Sequence, residues 1–189
     1  DGTKEFIQRN GEFTVNVALI EAGEPVLGVV YLPVQGITYS GVKGQGAHKH
    51  QGKTRRSIRT RSAVQRIDQQ QPLEVLTSRR HGVDALAPLL QRLAQHIAPI
   101  TTQHAGSSLK LCLIAEGAAD FFPRLGPTCE WDTAAAQAVV EAAGGSVVYI
   151  EKTDNQLKRL DYNQRDTLLN PSFYVYGDPH INWASVLTA

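Results

Sequence analysis

The segment WDTAAAQAVVEAAGG, residues 131–145, carries the clearest structural signal of the chain. Its alanine-rich part, residues 133–143, predicts an α-helix, and the glycine pair at 144–145 is a typical helix C-terminal signal. Asp132 precedes this predicted helix, where an aspartate commonly acts as the N-cap. Its carboxylate would also offer a hard oxygen ligand to a metal ion. The unpaired N–H groups and the positive dipole end beside it favour phosphate.

A second group of residues suited to binding a metal ion and a phosphate lies at the start of the chain, in the stretch DGTKEFI, residues 1–7. Asp1 supplies another hard oxygen ligand, Gly2 lets backbone N–H groups approach an anion, and Thr3 can hold a water molecule. Two carboxylates next to two backbone segments that favour phosphate are typical of metal-assisted hydrolysis. The sequence therefore predicts a phosphate-ester hydrolase that uses Asp1 and Asp132.

A third stretch, GSSLK at residues 106–110, precedes a run that predicts a helix over 107–116. The hydroxyls of Ser107 and Ser108 and the ammonium of Lys110 would suit a second phosphate, one that is bound but not removed. The alternative is an ordinary serine-capped helix with Lys110 facing solvent. Arg124 either contacts the same phosphate bidentately or forms a structural ion pair. Trp131 is expected to pack rather than to act chemically.

The composition of the 189 residues is that of a globular protein, with 42% hydrophobic and 20% charged residues. The formal net charge of +1 gives no overall attraction to nucleic acid or membrane, and we expect no nucleic-acid partner. Basic residues crowd the region 48–66, which is either a solvated hairpin face or a surface that attracts polyanions. The two cysteines, Cys112 and Cys129, lack metal-binding or disulfide spacing and suit a reducing cytoplasm.

The chain divides into a part that contains only predicted strands and a later part in which predicted strands and helices alternate. Strands are predicted at 13–20, 26–32, 37–42, 46–49 and 57–61, which favours an antiparallel meander with Gly41, Gly44 and Gly46 as turn signals. After residue 72, strands at 73–77, 98–102, 146–150 and 172–176 alternate with helices at 83–96, 107–116 and 133–143. We therefore predict an α/β fold with subdomains 1–63 and 72–189, joined by a polar linker at 64–71.

The segments DGTKEF and WDTAAAQAVVEAAGG resemble the two signature regions of the inositol monophosphatase-like superfamily, a group of metal-dependent, lithium-sensitive phosphatases. Lys4, the run GEFTVN at 11–16 and the run GSSLK are similar to the bacterial adenosine 3′,5′-bisphosphate nucleotidases within it. The resemblance extends from Asp1 to about Phe173. It implies a layered αβαβα sandwich, here without its N-terminal helices.

For the site, the resemblance implies that Asp1 and Asp132 are Mg²⁺ ligands, with two or three ions in the intact enzyme. Asp1 and Thr3 would be the catalytic residues, because in relatives this threonine hydroxyl helps to orient the attacking water. The substrate-binding set implied in this way is Asp1, Gly2, Thr3, Ser107, Ser108, Lys110, Arg124 and Asp132.

The chain departs from the family pattern at its beginning. The first signature of the family normally reads Asp-Pro-hydrophobic-Asp-Gly-Thr, and this chain begins at its second aspartate. It also contains no methionine, and the upstream Glu-Glu pair has no counterpart. We expect it to be the C-terminal portion of a longer protein, with a naturally truncated paralogue as the alternative.

The expected reaction is hydrolysis of the 3′-phosphate of adenosine 3′,5′-bisphosphate to AMP and phosphate, within sulfur assimilation in the cytoplasm. One alternative is an inositol monophosphatase, which more typically carries Asn or Ser where this chain has Lys4. The other is a catalytically inactive nucleotide-binding fragment. Peripheral contact with the cytoplasmic side of the inner membrane is left open by the sequence, and so is the oligomeric state.

Overall fold

Two β-sheets lie on either side of a layer of helices in the structure, a computed structural model that describes residues 1–78 and 83–188, with the backbone alone for 83–85. The first sheet is an antiparallel meander in the order β1-β2-β3-β4-β5. Its strands are β1 Val15–Glu21, β2 Glu24–Leu32, β3 Ile37–Val42, β4 Gly46–Gln51 and β5 Thr54–Ile58. The predicted meander is confirmed, but its last strand lies earlier than 57–61. The chain leaves the sheet after Ile58, and the Thr60 N–H then donates to the Ala143 carbonyl at 3.0 Å.

The second sheet has six strands in the order β10-β9-β11-β8-β6-β7. Its strands are β6 Leu73–Thr77, β7 Ile100–His104, β8 Phe121–Arg124, β9 Ser146–Ile150, β10 Leu157–Arg159 and β11 Phe173–Tyr176. Strand β6 pairs in parallel with β7 and β8, whereas the remaining pairs are antiparallel. The mixed α/β class that the sequence predicts is confirmed.

Six helices complete the described part of the chain: α1 Thr3–Ile7, α2 Ala63–Asp68, α3 Val83–His96, α4 Leu109–Ala115, α5 Glu130–Ala142 and α6 Ala184–Leu187. Most of the predicted linker, residues 64–71, belongs to α2, and its role as a linker stays a prediction. The Ser62 hydroxyl caps that helix by accepting from the Gln65 N–H at 3.2 Å. The division into subdomains 1–63 and 72–189 stays a prediction.

Helix α5 packs so closely on the first sheet that two strand positions require glycine. A Cβ at Gly28 would lie 2.0 Å from the Ala135 carbonyl oxygen, and a Cβ at Gly41 would lie 2.6 Å from the Val139 Cα. The alanines of α5 allow this approach. A single buried cluster therefore runs from the first sheet through α4 and α5 to Phe173 of the second sheet.

The opposite face of the second sheet carries its own buried cluster, centred on Trp183 and contacting α3 and α6. The Trp183 ring stacks on Phe121 at 5.0 Å and on Tyr176 at 5.2 Å. Together these contacts give a succession of sheet, helices, sheet and helices. None of the helices within residues 1–78 and 83–188 has the length and hydrophobicity that crossing a membrane requires.

Candidate active site

A cavity of about 610 Å³ lies where the start of the chain meets the first turns of α4 and α5. Its volume is in the range of small-molecule sites. The cavity is lined by every residue of the set predicted from sequence: Asp1, Gly2, Thr3, Ser107, Ser108, Lys110, Arg124 and Asp132. The fold thus brings together three segments that are far apart in sequence, and the chemical roles of these residues stay predictions.

Asp1 is held firmly at one side of this cavity. Its amino group donates to the Thr14 carbonyl at 2.7 Å, and the Thr14 N–H donates back to the Asp1 carbonyl at 2.9 Å. The Asp1 carboxylate atom Oδ2 accepts from the Ser107 hydroxyl, from the Ser108 N–H at 3.1 Å and from the Ser108 hydroxyl at 3.2 Å. These bonds all end on one oxygen, so the carboxylate has a defined orientation.

The next residues turn the chain sharply into α1. Gly2 has a φ of +94°, in the left-handed region where glycine is favoured, and a Cβ there would lie 3.0 Å from the Phe13 Cα. Thr3 is the first residue of α1 and lines the cavity. The sequence requirement at Gly2 therefore has a steric cause in addition to the predicted contact with phosphate.

Asp132 lies at the other side of the cavity, and its predicted position as the N-cap is corrected. Helix α5 begins at Glu130, with Cys129 at the N-cap, so Asp132 is the third residue of the first turn. It still caps the helix, because its Oδ2 accepts from the Cys129 N–H at 2.9 Å. The Asp132 carbonyl accepts from the Ser108 hydroxyl at 2.8 Å. Asp1 and Asp132 are therefore neighbours, since Ser108 bonds both.

The loop before α4 differs from an ordinary serine-capped helix. Helix α4 begins at Leu109 rather than at the predicted residue 107, and the Ser108 side chain makes no capping bond to it. Ser107 has a φ of +47°, which turns the chain before the helix. The Gly106 N–H donates to Glu12 Oε2 at 2.6 Å, and a Cβ at Gly106 would lie 2.8 Å from that oxygen. The Ser107 hydroxyl bonds Asp1, and the Ser108 hydroxyl contacts both Asp1 and Asp132.

Lys110 is buried beneath this loop with 6% of its surface exposed, so the solvent-facing alternative is wrong. Its Nζ donates to the carbonyls of Ala105 and Ser107 at 3.1 and 3.0 Å and lies 5.2 Å from the centre of the Phe122 ring. The ammonium therefore supports the loop backbone from the interior. Its predicted contact with a phosphate stays a prediction.

Arg124 borders the cavity on the side of Asp132. Its guanidinium donates to the Ser78 hydroxyl at 3.1 Å and to the Pro127 carbonyl at 3.0 Å. Burial lowers the pKa of Arg124 from its ordinary value, and the nearby Asp132 carboxylate partly offsets this effect. An arginine nevertheless remains charged, so a permanent cation stands beside the aspartate.

The sequence profile described as "Inositol monophosphatase family" matches residues 1–181. The chain belongs to the inositol monophosphatase family. It is 50% identical over 175 residues to the "3'(2'),5'-bisphosphate nucleotidase CysQ" of Salmonella typhimurium, and the match covers 93% of this chain and 64% of that protein. The protein of the same name from Escherichia coli K12 is 49% identical over the same length. The chain thus spans just under two thirds of the length of these relatives.

Solved structures of the family agree with the observed fold. CysQ from Bacteroides thetaiotaomicron, a bacterial member of the family, superposes with a TM-score of 0.76 at 39% identity, covering 94% of this chain and 67% of that one. The inositol monophosphatase from Anabaena superposes with a TM-score of 0.73 at 21% identity, covering 99% and 71%. The second comparison supports the fold alone.

Since the inositol monophosphatase family is a family of metal-dependent phosphatases, the residues of the cavity can be tested against a metal ion. Among the side chains that the structure describes, in residues 1–78 and 86–188, no three of His, Cys, Asp or Glu lie close enough together to hold a metal. The cavity does offer the carboxylates of Asp1 and Asp132. Magnesium commonly takes one or two carboxylates and completes its shell with water and substrate phosphate, so this donor set fits it.

Sequence reasoning missed several further residues of the cavity, among them Asn16 and Trp131. Trp131 is 61% exposed, so its predicted packing role is wrong. The position of Trp131 next to Asp132 could have indicated that it lines the cavity. Trp131 is the second residue of α5 and therefore lies at the same exposed helix start as Asp132. Asn16 gave a weaker signal as a polar residue in the valine-rich strand β1.

Proposed function

We propose that this member of the inositol monophosphatase family hydrolyses the 3′-phosphate of adenosine 3′,5′-bisphosphate to AMP and phosphate. The observation that carries the proposal is the single cavity lined by all eight residues predicted from sequence. The names of the CysQ relatives at about half identity support the same substrate class. A role in sulfur assimilation is part of the proposal.

In this proposal Asp1 and Asp132 would hold Mg²⁺. Bound magnesium supplies charge neutralisation at phosphate oxygens and a lower pKa for a coordinated water. The protein supplies orientation: Ser107 and Ser108 fix the Asp1 carboxylate, and the capping bond to Cys129 fixes the Asp132 carboxylate. Thr3 would hold the attacking water with its hydroxyl.

The second phosphate of the substrate would bind near Arg124. Its planar guanidinium is suited to bidentate contact with phosphate oxygens, and such charge-assisted bonds are among the stronger hydrogen bonds in proteins. Lys110 would contribute positive charge from below the loop that contains Ser107 and Ser108. A monophosphorylated inositol has no group that would use this part of the cavity.

Two other functions remain as competitors for the same cavity. An inositol monophosphatase would prefer the inositol ester, and Lys4 argues mildly against it. A nucleotide-binding protein without catalysis is favoured by one observation, the lack of a three-ligand metal cluster among the described side chains of residues 1–78 and 86–188. We also propose a cytoplasmic location, which the two free cysteines suit. Contact with the inner membrane surface stays a prediction.

The test compares phosphate release from adenosine 3′,5′-bisphosphate and from inositol 1-phosphate across a titration of Mg²⁺, with a chelator as the metal-free control. We expect magnesium-dependent release with a preference for the bisphosphate. A preference for the inositol ester would overturn the nucleotidase proposal. Tight equilibrium binding of the bisphosphate without phosphate release would instead establish the non-catalytic alternative.

A further inference from the structure

Two polar residues at the cavity are not part of the set predicted from sequence: Thr14, which is buried, and Asn16, which is half-buried and lines the cavity. Thr14 precedes β1 and is 3% exposed. Its hydroxyl lies 2.8 Å from the Ser107 hydroxyl, which in turn donates to Asp1 Oδ2. Since an ionised carboxylate only accepts and a serine hydroxyl has one proton, Thr14 must be the donor to Ser107. The chain of bonds therefore runs from Thr14 through Ser107 to Asp1.

A parallel chain of bonds begins at Asn16. The Asn16 Nδ2 donates to the Ser108 hydroxyl oxygen at 3.0 Å, and Ser108 is 2% exposed. The single Ser108 proton has two acceptors, the Asp132 carbonyl at 2.8 Å and Asp1 Oδ2 at 3.2 Å. The shorter contact is to Asp132, and the Ser108 N–H already serves Asp1. This second chain therefore runs from Asn16 through Ser108 to the first turn of α5.

The extended backbone explains why these two residues reach two consecutive serines. Side chains two positions apart in a strand point to the same side. Thr14 and Asn16 face the helices, whereas the intervening Val15 is 52% exposed. One short piece of strand thus supports both Asp1 and Asp132 at the same time.

We propose that Thr14 and Asn16 are positioning residues that set the relative placement of Asp1 and Asp132. The inference rests on the proposed function in that the two aspartates are taken as metal ligands. Neither residue is assigned a contact with the substrate. They act through the Ser107 and Ser108 hydroxyls, and their loss should loosen the aspartates without removing them.

The test uses Thr14→Val, which removes the hydroxyl donor to Ser107, and Asn16→Leu, which removes the amide donor to Ser108. Thr14→Ser is the conservative variant, because it keeps the hydroxyl. Thr38→Val, in strand β3 away from the cavity, is the matched control. Two readouts are independent of turnover: the dissociation constant of Mn²⁺ alone and the hydrogen-exchange rate of the Ser107 and Ser108 amides. The magnesium dependence of phosphate release is measured in parallel.

Losing one neutral hydrogen bond should weaken Mn²⁺ binding by about 3- to 10-fold in Thr14→Val and Asn16→Leu. Amide exchange at Ser108 should accelerate in both variants. The apparent magnesium requirement should rise while kcat at saturating metal stays near that of the unmodified protein. In Thr14→Ser and Thr38→Val, the Mn²⁺ dissociation constant and the apparent magnesium requirement should remain within about 2-fold of those of the unmodified protein.

Unchanged Mn²⁺ affinity and unchanged amide exchange in the two disruptive variants would overturn the positioning role. A protein that neither binds Mn²⁺ nor releases phosphate would defeat the proposed function instead. In that case amide exchange alone decides the inference. Faster exchange in Thr14→Val and Asn16→Leu, together with an unchanged rate in Thr14→Ser, supports the two chains of bonds. Unchanged exchange in the two disruptive variants overturns them.

Discussion

The two sheets of the molecule differ in how their faces are covered. In the six-stranded sheet, neighbouring residues alternate between two buried clusters: Phe122 and Phe173 face α4 and α5, while Phe121 and Tyr174 face α3 and α6. The five-stranded sheet buries one face against α5. Its other face exposes three apolar side chains of β1, between 52% and 59% of their surface: Val15, Val17 and Leu19.

The difference concerns apolar burial within the part of the chain that the structure describes. There the six-stranded sheet buries apolar side chains on both faces, whereas the five-stranded sheet buries them on the face that contacts α5. The candidate site lies at the end of that contact, where α5 begins. Any change that loosens α5 from the first sheet is therefore expected to disturb the site as well.

The largest effect is expected at a buried ion pair that ties the segment after β5 to the six-stranded sheet. Asp120 is 1% exposed, accepts two bonds of 2.7 Å from Arg61, and accepts the Glu74 N–H at 2.7 Å. Asp120→Ala leaves the Arg61 charge without its main partner and should lower the free energy of unfolding by about 3–5 kcal/mol. Urea denaturation measures this change.

The control for this variant is Asp154→Ala, which breaks the exposed pair with Lys158 at 3.0 Å. That exposed pair should matter little, because water and salt screen it. Equal losses in the two variants would mean that the Asp120 connection is no more important than a surface contact.

The second prediction concerns the contact of α5 with the five-stranded sheet. In Gly28→Ala the new methyl group would lie 2.0 Å from the Ala135 carbonyl oxygen, so helix and sheet must separate. We expect a loss of about 1–3 kcal/mol or more from this overpacking. Thermal unfolding is compared with Gly177→Ala as the control, because Gly177 has no left-handed φ and a Cβ there would meet no atom closer than 3.3 Å. A Gly28 variant as stable as the Gly177 variant would contradict this account of the contact.

The smallest effect is expected on the exposed face of the five-stranded sheet. Val17 is 59% exposed, so Val17→Lys should change the free energy of unfolding by less than about 0.5 kcal/mol. The same change should reduce binding of a hydrophobic dye, because it interrupts the apolar row on β1. Ser57→Lys, at the polar end of the first sheet, should leave dye binding unchanged. Marked destabilisation by Val17→Lys would show that this face contributes to the core.

Much of the fold followed from local sequence patterns. Strands 37–42, 73–77 and 146–150 and helix 83–96 have the predicted bounds, because periodicity within each segment was sufficient. Gly41 was wrongly taken as a turn signal. It lies within β3, and its requirement comes from Val139 of α5, a contact between distant segments. Such a requirement has no local signature.

For the candidate site, the sequence likewise predicted individual residues but not the contacts between them. Seven of the eight predicted residues belong to three short motifs and Arg124 lies outside them, yet the contacts that organise these residues do not follow from the motifs. Thr14 and Ser107 are 93 positions apart, and their bond is visible only after the sheet and α4 are in place. The start of α5 was missed by three residues, because Cys129 is not among the residues that usually occupy an N-cap.

In the proposed function, the cavity between α1, α4 and α5 catalyses metal-dependent phosphate release with Asp132 as a metal ligand. The most direct test of this role is the rate of phosphate release from adenosine 3′,5′-bisphosphate at saturating Mg²⁺, compared between the unmodified protein and Asp132→Asn. Asparagine can still accept the Cys129 N–H, so the fold should be kept. Because changes in the outer shell of a metal site already cost 10–100-fold, we predict a loss of more than about 100-fold. Release at the unmodified rate by a folded Asp132→Asn variant would contradict the claim.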